Sequence, residues 1–155
     1  MRRSERGNMR RLAAVVAASA AAALAIAACS GGSSGAQTTD HWHAQLTMSV
    51  CGENYVEPTF DGGIHSHGDG LIHIHPHAAA EAGKNATLRR FFEHSRIKVT
   101  ATSIQIPGER AYQDGSLCSN GQRGTMHFSV NGQPSAKGLD YVMQDGDKIA
   151  IVFGP

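Results

Sequence analysis

The stretch Trp42-His43-Ala44-Gln45-Leu46-Thr47-Met48-Ser49-Val50 decides the fold of this 155-residue chain. Apolar and polar residues alternate along its whole length, and alternation with a period of two is typical of a β-strand buried on one face. The apolar face comprises Trp42, Ala44, Leu46, Met48 and Val50. The opposite face is polar and carries His43, Gln45, Thr47 and Ser49. The stretch therefore predicts a half-buried strand that starts a folded domain near Asp40.

Towards the C-terminus, a second alternating segment and one helical segment follow. Residues 71–75 place Ile72 and Ile74 inward and His73 and His75 outward, as in a strand. A helix is predicted from about Ala86 to His94, with Asn85 as its N-cap. Its buried side would carry Leu88, Phe91 and Phe92.

Three further segments predict strands. Ile97 to Ile106 is strand-like and ends at Pro107-Gly108. Thr125 to Val130 leads into Asn131-Gly132, a strong signal for a tight turn, and the last strand runs from Lys148 to Phe153. Strands, one helix and then more strands predict an α+β domain, in which the helix covers one face of a mixed or antiparallel sheet.

The segment from Tyr141 to Ile149 resembles the C-terminal part of β-grasp (ubiquitin-like) domains. In those domains, a turn such as Asp145-Gly146-Asp147 delivers the final strand into the sheet. The resemblance implies a β-grasp-like sheet. Sulfur-carrier members of that group end in a free Gly-Gly, whereas this chain ends in Phe153-Gly154-Pro155, so carrier chemistry is not supported.

The N-terminal residues 1–28 have the pattern of an export signal. Five arginines precede an uncharged, alanine-rich stretch from Leu12 to Ala28, which is the layout of a signal peptide. The end of this stretch, Ile26-Ala27-Ala28-Cys29, resembles a bacterial lipobox, which implies cleavage after Ala28 and a lipid on Cys29. An uncleaved membrane anchor is the alternative, because 17 residues lie at the lower edge of spanning length. Arg10-Arg11 leaves twin-arginine export open.

Three segments are therefore predicted. Residues 1–28 are a lipoprotein signal peptide, residues 29–39 are the lipidated cysteine and a flexible Gly/Ser tether, and residues 40–155 are a single histidine-rich domain. The mature protein would be exported and held by lipid on the outer side of the cell membrane.

Charge and cysteine content narrow the function. The whole chain has a formal charge of +1, but without residues 1–28 it keeps 9 basic and 12 acidic residues, a net −3. A basic nucleic-acid-binding surface is therefore not expected. Besides Cys29, the cysteines are Cys51 and Cys118, which predict a disulfide in an oxidising compartment. Two thiolate metal ligands are the alternative.

Seven of the nine histidines lie within residues 41–77, all with local spacings of two: His41, His43, His65, His67, His73, His75 and His77. In a strand, this spacing puts neighbouring imidazoles on one face. The segment Gly68-Asp69-Gly70 can turn the chain back, so that His65 and His67 lie across from His73 and His75. The first strand would add His43 or His41, and the pattern predicts a divalent-metal site.

All-imidazole sites suit copper and zinc, and copper binds more tightly. His65, His67, His73 and His75 are the first ligand candidates, followed by His43 and His41, and then by His77. Asp40 and Asp69 are candidates for an oxygen ligand, whereas His94 and His127 are interpreted as ordinary surface residues. Participation of His127 in the site is the alternative, because His127 faces opposite Met126 and Phe128. A solvated polar strand face is the alternative interpretation of the whole pattern.

The predicted role is capture, buffering or handover of copper or zinc at the cell surface, with membrane lipid and another envelope metal-handling protein as partners. The alternatives are a metal-free, pH-responsive module that binds a partner and a small metalloenzyme. His65-Ser-His67 resembles the first cupin motif, but the glutamate that this motif requires is absent. No catalytic residue is predicted.

The segment from Asp61 to Pro76 carries the most specific resemblance. Together with His41-Trp42-His43, it resembles an uncharacterised family of secreted bacterial and archaeal proteins. These proteins have His-x-His, a His-Thr-His-Gly-Asp-like turn, an Ile-His-Ile-His strand and a final Asp-Gly-Asp strand. The resemblance covers residues 40–155 and implies a domain, but no reaction.

Overall fold

The computed structural model describes residues 39–155. The predicted signal peptide, the predicted lipid site Cys29 and nearly all of the predicted tether lie outside the described residues. No helix within residues 39–155 is long and apolar enough to cross a membrane.

The described residues form ten strands and one α-helix: β1 (Trp42–Val50), β2 (Glu53–Tyr55), β3 (Ile64–His65), β4 (Leu71–Ile74), α1 (Leu88–His94), β5 (Lys98–Val99), β6 (Ser103–Gln105), β7 (Ala111–Gln113), β8 (Thr125–Val130), β9 (Gln133–Pro134) and β10 (Lys148–Gly154). Single turns of 3-10 helix occupy Ala79–Glu81, Gly83–Asn85 and Gly138–Asp140.

A seven-stranded mixed sheet is built around β1. Its order is β3-β4-β1-β10-β8-β9, and β2 pairs with the second half of β1. The central pair, β1 and β10, is parallel, with Leu46 opposite Ile149. The strands β4 and β8 flank this pair and run antiparallel to their neighbours. A separate three-stranded sheet has the order β5-β6-β7.

The hydrophobic core lies on the apolar face of β1. Ala44, Leu46, Met48 and Val50 are buried there, as the alternation predicts, while Trp42 is half-buried. They share one apolar cluster with Ile149, Ile151 and Phe153 of β10 and with Leu88, Phe91 and Phe92 of α1. Each large apolar side chain buried in this way contributes about 1.5–3 kcal/mol to folding. The predicted α+β class is confirmed. The opposite face of β1 carries polar residues.

The helix begins later than predicted. Helix α1 starts at Leu88, and its N-cap is Thr87, whose side-chain oxygen accepts a hydrogen bond from the Arg90 N–H at 3.2 Å. The prediction of Asn85 as the cap is wrong. The Asn85 side chain donates to the Ala79 carbonyl at 2.7 Å and closes the 3-10 turns that precede the helix. Thr87 lies three residues before its donor, which is the usual capping distance.

The predicted strand from Ile97 to Ile106 is two strands. A turn after Val99 separates β5 from β6, which pair antiparallel as a hairpin. Within the turn, Thr100 Oγ1 accepts from the Thr102 N–H at 3.2 Å and lies 2.7 Å from Ser103 Oγ. Hydroxyl side chains offer the backbone such local bonds in place of a continuous ladder. The hairpin is the consequence.

Two other predictions are confirmed. Asn131 and Gly132 have φ values of 53° and 77°, as expected for the tight turn between β8 and β9. Cys51, directly after β1, is bonded to Cys118, and their Cα atoms are 5.4 Å apart. Because the two sulfurs bond to each other, neither is a thiolate ligand.

Candidate metal centre

The strands β3, β4 and β1 lie side by side and align three histidines. His65 is opposite His73 in the β3–β4 pair, and His73 is opposite His43 in the β4–β1 pair. Their imidazoles share the polar side of the sheet because neighbours directly across from each other point to the same face. Of the prediction that His65 and His67 lie across from His73 and His75, the pairing of His65 with His73 is confirmed.

His75 lies elsewhere than predicted. Its N–H donates to the Gly63 carbonyl at 2.7 Å, so His75 stands across from Gly63 and not across from a histidine of that hairpin. The cause is the register, since His65 opposite His73 places Gly63 beside His75. On its other side, His75 meets the first strand, where the centroids of the His75 and His41 rings are 4.1 Å apart.

Six histidines form two groups of three. One group is His41, His43 and His75, hereafter the 41/43/75 triad; the other is His65, His67 and His73, hereafter the 65/67/73 triad. Within each triad, one nitrogen from each ring lies within 4.8 Å of the corresponding nitrogens of the other two rings. Three converging imidazoles are the protein ligands of many zinc and copper sites. Each triad can therefore hold a metal ion.

The two triads are neighbours. The ring centroids of His43 and His73, one from each triad, are 4.8 Å apart, and those of His65 and His75 are 5.1 Å apart. All six imidazoles thus form one continuous cluster, hereafter the six-histidine cluster, on the polar side of β1, β3 and β4.

One nitrogen pair already has a separation suited to a metal. Two imidazole nitrogens bound to the same tetrahedral ion at about 2.0–2.1 Å are about 3.3 Å apart. The Nε2 atoms of His65 and His67 are 3.2 Å apart. The wider separations in the triads, up to 4.8 Å, require side-chain rotation of about 1–2 Å to reach this value.

The cluster is buried at its centre and open at its ends. His65 and His73 are only 9% and 8% exposed, whereas His41 and His67 are exposed. Burial, followed by the charges of His67 and His73, lowers the pKa of His65. Burial, followed by the neighbouring imidazoles with His41 first, lowers the pKa of His75 to about 4. Both rings are therefore neutral at pH 7, the form that binds metals.

Each triad contains one buried ring nitrogen without a hydrogen-bond partner among residues 39–155. These atoms are Nδ1 of His65 and Nε2 of His75. A buried polar atom usually has a partner, because leaving it unpaired costs about 1–3 kcal/mol. At His75, a metal ion would supply the missing interaction, and this fits an imidazole ligand better than an ordinary polar surface. At His65, the nitrogen placed for a metal is Nε2, which faces His67.

Asp69 fixes the orientation of His73. Its Oδ1 accepts from the Leu71 N–H at 3.0 Å, and its Oδ2 lies 2.9 Å from His73 Nε2. Burial raises the pKa of Asp69, but the hydrogen bonds from His73 and Leu71 outweigh this effect and leave the pKa below its usual value. The ionised carboxylate can only accept, so the neutral tautomer of His73 that this contact selects has its proton on Nε2 and a lone pair on Nδ1. Carboxylates commonly orient metal-binding histidines in this way.

The role of Asp69 differs from the sequence-based expectation of a direct oxygen ligand. In the sequence, Asp69 stands in a glycine turn four residues before His73, but only the fold shows which imidazole its carboxylate contacts. Asp40, the other predicted oxygen donor, accepts a hydrogen bond from the Gly83 N–H at 2.9 Å.

The remaining histidines lie outside the two triads. His77 is exposed, and its N–H donates to the Glu81 carboxylate at 2.9 Å. His94 is exposed at the end of α1. His127 lies on β8, which β10 separates from β1, and its Nε2 is 3.0 Å from Thr125 Oγ1.

No protein-family model matches this chain, and no curated protein and no solved structure matches it either. The resemblance to the uncharacterised secreted family stays a prediction. The geometry of the six-histidine cluster is therefore the feature that indicates a function.

Proposed function

We propose that this protein binds copper or zinc through the six-histidine cluster and serves to capture, buffer or hand over that metal at the cell surface. The convergence of six imidazoles into two triads carries the proposal. Two further observations support it: the unpartnered Nε2 of His75, and the low pKa of His75, which keeps its ring neutral.

The location and fold class belong to the same proposal. The arginine-rich leader and the lipobox-like Ile26-Ala27-Ala28-Cys29 support export and a lipid anchor. The disulfide between Cys51 and Cys118 is compatible with an oxidising environment. The parallel β1–β10 pair with antiparallel neighbours supports a β-grasp-like sheet. The partners that we propose are membrane lipid, through Cys29, and another envelope protein that handles metals.

Exposure of the cluster supports a role in exchange. His41 and His67 each lie at the surface, so that water and an incoming metal reach both triads. With three imidazoles, each triad leaves one position of a tetrahedral ion open. An open position allows a metal to be received from, or passed to, another ligand.

Titration of the full chain in detergent with Cu(II) and with Zn(II), followed by calorimetry, tests the proposal. We expect stoichiometric binding of both metals, with copper the tighter. The variant His41→Ala/His67→Ala removes one exposed ring from each triad, so binding should weaken at least tenfold. The matched control His94→Ala/His127→Ala removes two histidines outside the cluster and should bind as the unaltered chain does.

Equal binding by both variants and the unaltered chain would show that scattered surface imidazoles hold the metal. The six-histidine cluster would then be better explained as a metal-free surface that senses pH.

A further inference from the structure

We propose that the six-histidine cluster is a dinuclear centre, in which each triad holds one metal ion and the two ions share a small bridging anion. This inference rests on the proposed metal binding. It adds the number of metal ions per chain, which is two, and a small anion as the further ligand. Its first support is that the six rings divide into two complete triads, with three nitrogens each.

Each triad also contains nitrogens placed for an ion of its own. In the 65/67/73 triad, the Nε2 atoms of His65 and His67 are 3.2 Å apart, the separation of two ligands of one ion. In the 41/43/75 triad, the buried Nε2 of His75 has no hydrogen-bond partner among residues 39–155. A single ion would engage only one of these two places, whereas two ions engage both.

The contacts between the triads limit the distance between the ions. The rings of His43 and His73 are 4.8 Å apart, and a metal lies about 2 Å from its ligand nitrogen. The two ions are therefore no more than about 11 Å apart. At this distance two Cu(II) ions have a magnetic interaction that electron paramagnetic resonance detects.

The charge in the cluster favours an anion. Two divalent ions bring four positive charges, whereas imidazole ligands are neutral and Asp69 is the one carboxylate within hydrogen-bond distance of a triad ring nitrogen among the described residues. Each triad also leaves a coordination position open. A small anion that occupies both open positions, such as hydroxide or azide, lowers the repulsion between the ions.

The test loads the full chain in detergent with Cu(II), removes excess metal and measures bound copper and the resonance spectrum. We expect two copper ions per chain and a coupled pair, seen either as a half-field signal or as a resonance intensity well below that of two isolated ions, because a bridging anion can couple the two spins antiferromagnetically. Azide, used as the probe anion, should bind once per chain and change the coupling.

Variants of one triad provide the control for coupling. In His41→Ala/His43→Ala, we expect one copper per chain, no half-field signal and the full intensity of one isolated spin. The exposed-ring variant His67→Ala keeps the buried rings in place and should loosen the second ion at least tenfold. The control His94→Ala/His127→Ala should retain the coupled pair.

The failures are distinguishable. If copper does not bind to the cluster, the proposed function itself is wrong. One copper per chain in the unaltered protein, two copper ions with independent spins, or two azide ions bound independently would overturn the dinuclear centre and leave metal binding intact.

Discussion

At the residue scale, the cluster depends on ring orientation as well as on ring number. Nine histidines are visible in the sequence, but six of them converge. Of those six, His73 is held by a carboxylate through the contact of its Nε2 with Asp69 at 2.9 Å. Such partners select the tautomer and increase the basicity of the ligand nitrogen.

Replacement of Asp69 tests this positioning role. We expect Asp69→Asn to weaken metal binding at the 65/67/73 triad by about 10–100-fold. Loss of a group that hydrogen-bonds to a metal-ligating side chain has effects of this size. Calorimetry with Zn(II) measures the change. Asp61→Asn removes the same charge near His65 but leaves the Asp69–His73 contact in place, so it should have a smaller effect. Equal effects of the two variants would mean that Asp69 acts only through its charge.

The low pKa of His75 predicts how the stability of the metal-free protein depends on pH. The unfolded chain protonates His75 near pH 6.5, but the folded protein does so only near pH 4. Between these values unfolding takes up a proton, so the stabilisation is complete above pH 6.5 and is lost as the pH falls towards 4. We expect a loss of about 1–2 kcal/mol, allowing for solvent screening of a partly exposed ring.

Urea unfolding of the metal-free protein at pH 7 and pH 4.5 measures this loss. In His75→Gln, which does not titrate, the difference in unfolding free energy between the two pH values should shrink. If the variant and the unaltered protein lose the same stability, other groups account for the pH dependence.

At the element scale, the turn before β10 is held by one buried carboxylate. Asp147 is 5% exposed and accepts hydrogen bonds from Asn131 Nδ2 at 2.9 Å, the Tyr141 hydroxyl at 2.8 Å and the Gln144 N–H at 2.8 Å. Burial and then Asp147 raise the pKa of Tyr141 to about 12, so Tyr141 stays a donor. This turn aligns β10 with β1.

Removal of this carboxylate should destabilise the sheet. We expect Asp147→Ala to lower the unfolding free energy by about 3 kcal/mol, because three donors lose their acceptor in a buried place. Among residues 39–155, Asp145 in the same turn accepts from the His43 N–H alone, at 3.0 Å and in an exposed place, so Asp145→Ala should cost about 1 kcal/mol or less. Denaturant unfolding compares the two variants. A larger loss in Asp145→Ala would contradict this assignment.

At the scale of the whole molecule, the disulfide and the cluster lie at opposite ends of β1. Cys51 directly follows Val50, the last residue of β1, whereas His41 and His43 lie at the start of this strand. The bond to Cys118 spans 67 residues of sequence. Stability and metal binding therefore depend on different parts of the same strand.

Loss of the disulfide should affect stability alone. We expect Cys51→Ala/Cys118→Ala to lower the unfolding free energy by about 4 kcal/mol, which is the chain-entropy value for a loop of this size. Where the variant is folded, its affinity for Zn(II) should match that of the unaltered protein. Thermal unfolding and calorimetry measure the two quantities, and a large loss of affinity in the folded variant would mean that the bond positions the triads.

The sequence predicts the half-buried first strand, the α+β class, the cysteine pair and the segment that carries the histidines. These features can be predicted because alternation, turn residues and cysteine pairing are local or compositional properties. The helix cap at Thr87 and the hairpin break after Val99 cannot, because hydrogen bonds to the side chains of Thr87 and Thr100 decide both places, although Asn is the more common N-cap residue. The β-grasp resemblance stays a prediction.

The grouping of the histidines depends on the tertiary fold. His75 faces His41 and not its neighbours in the hairpin, and His77 lies outside both triads. The physical reason is that strand register depends on pairing between distant segments, and a shift by one residue sends each side chain to the other face. Spacing along the chain can place imidazoles on one face of a strand, but only the pairing of β1 with β4 brings two such strands together.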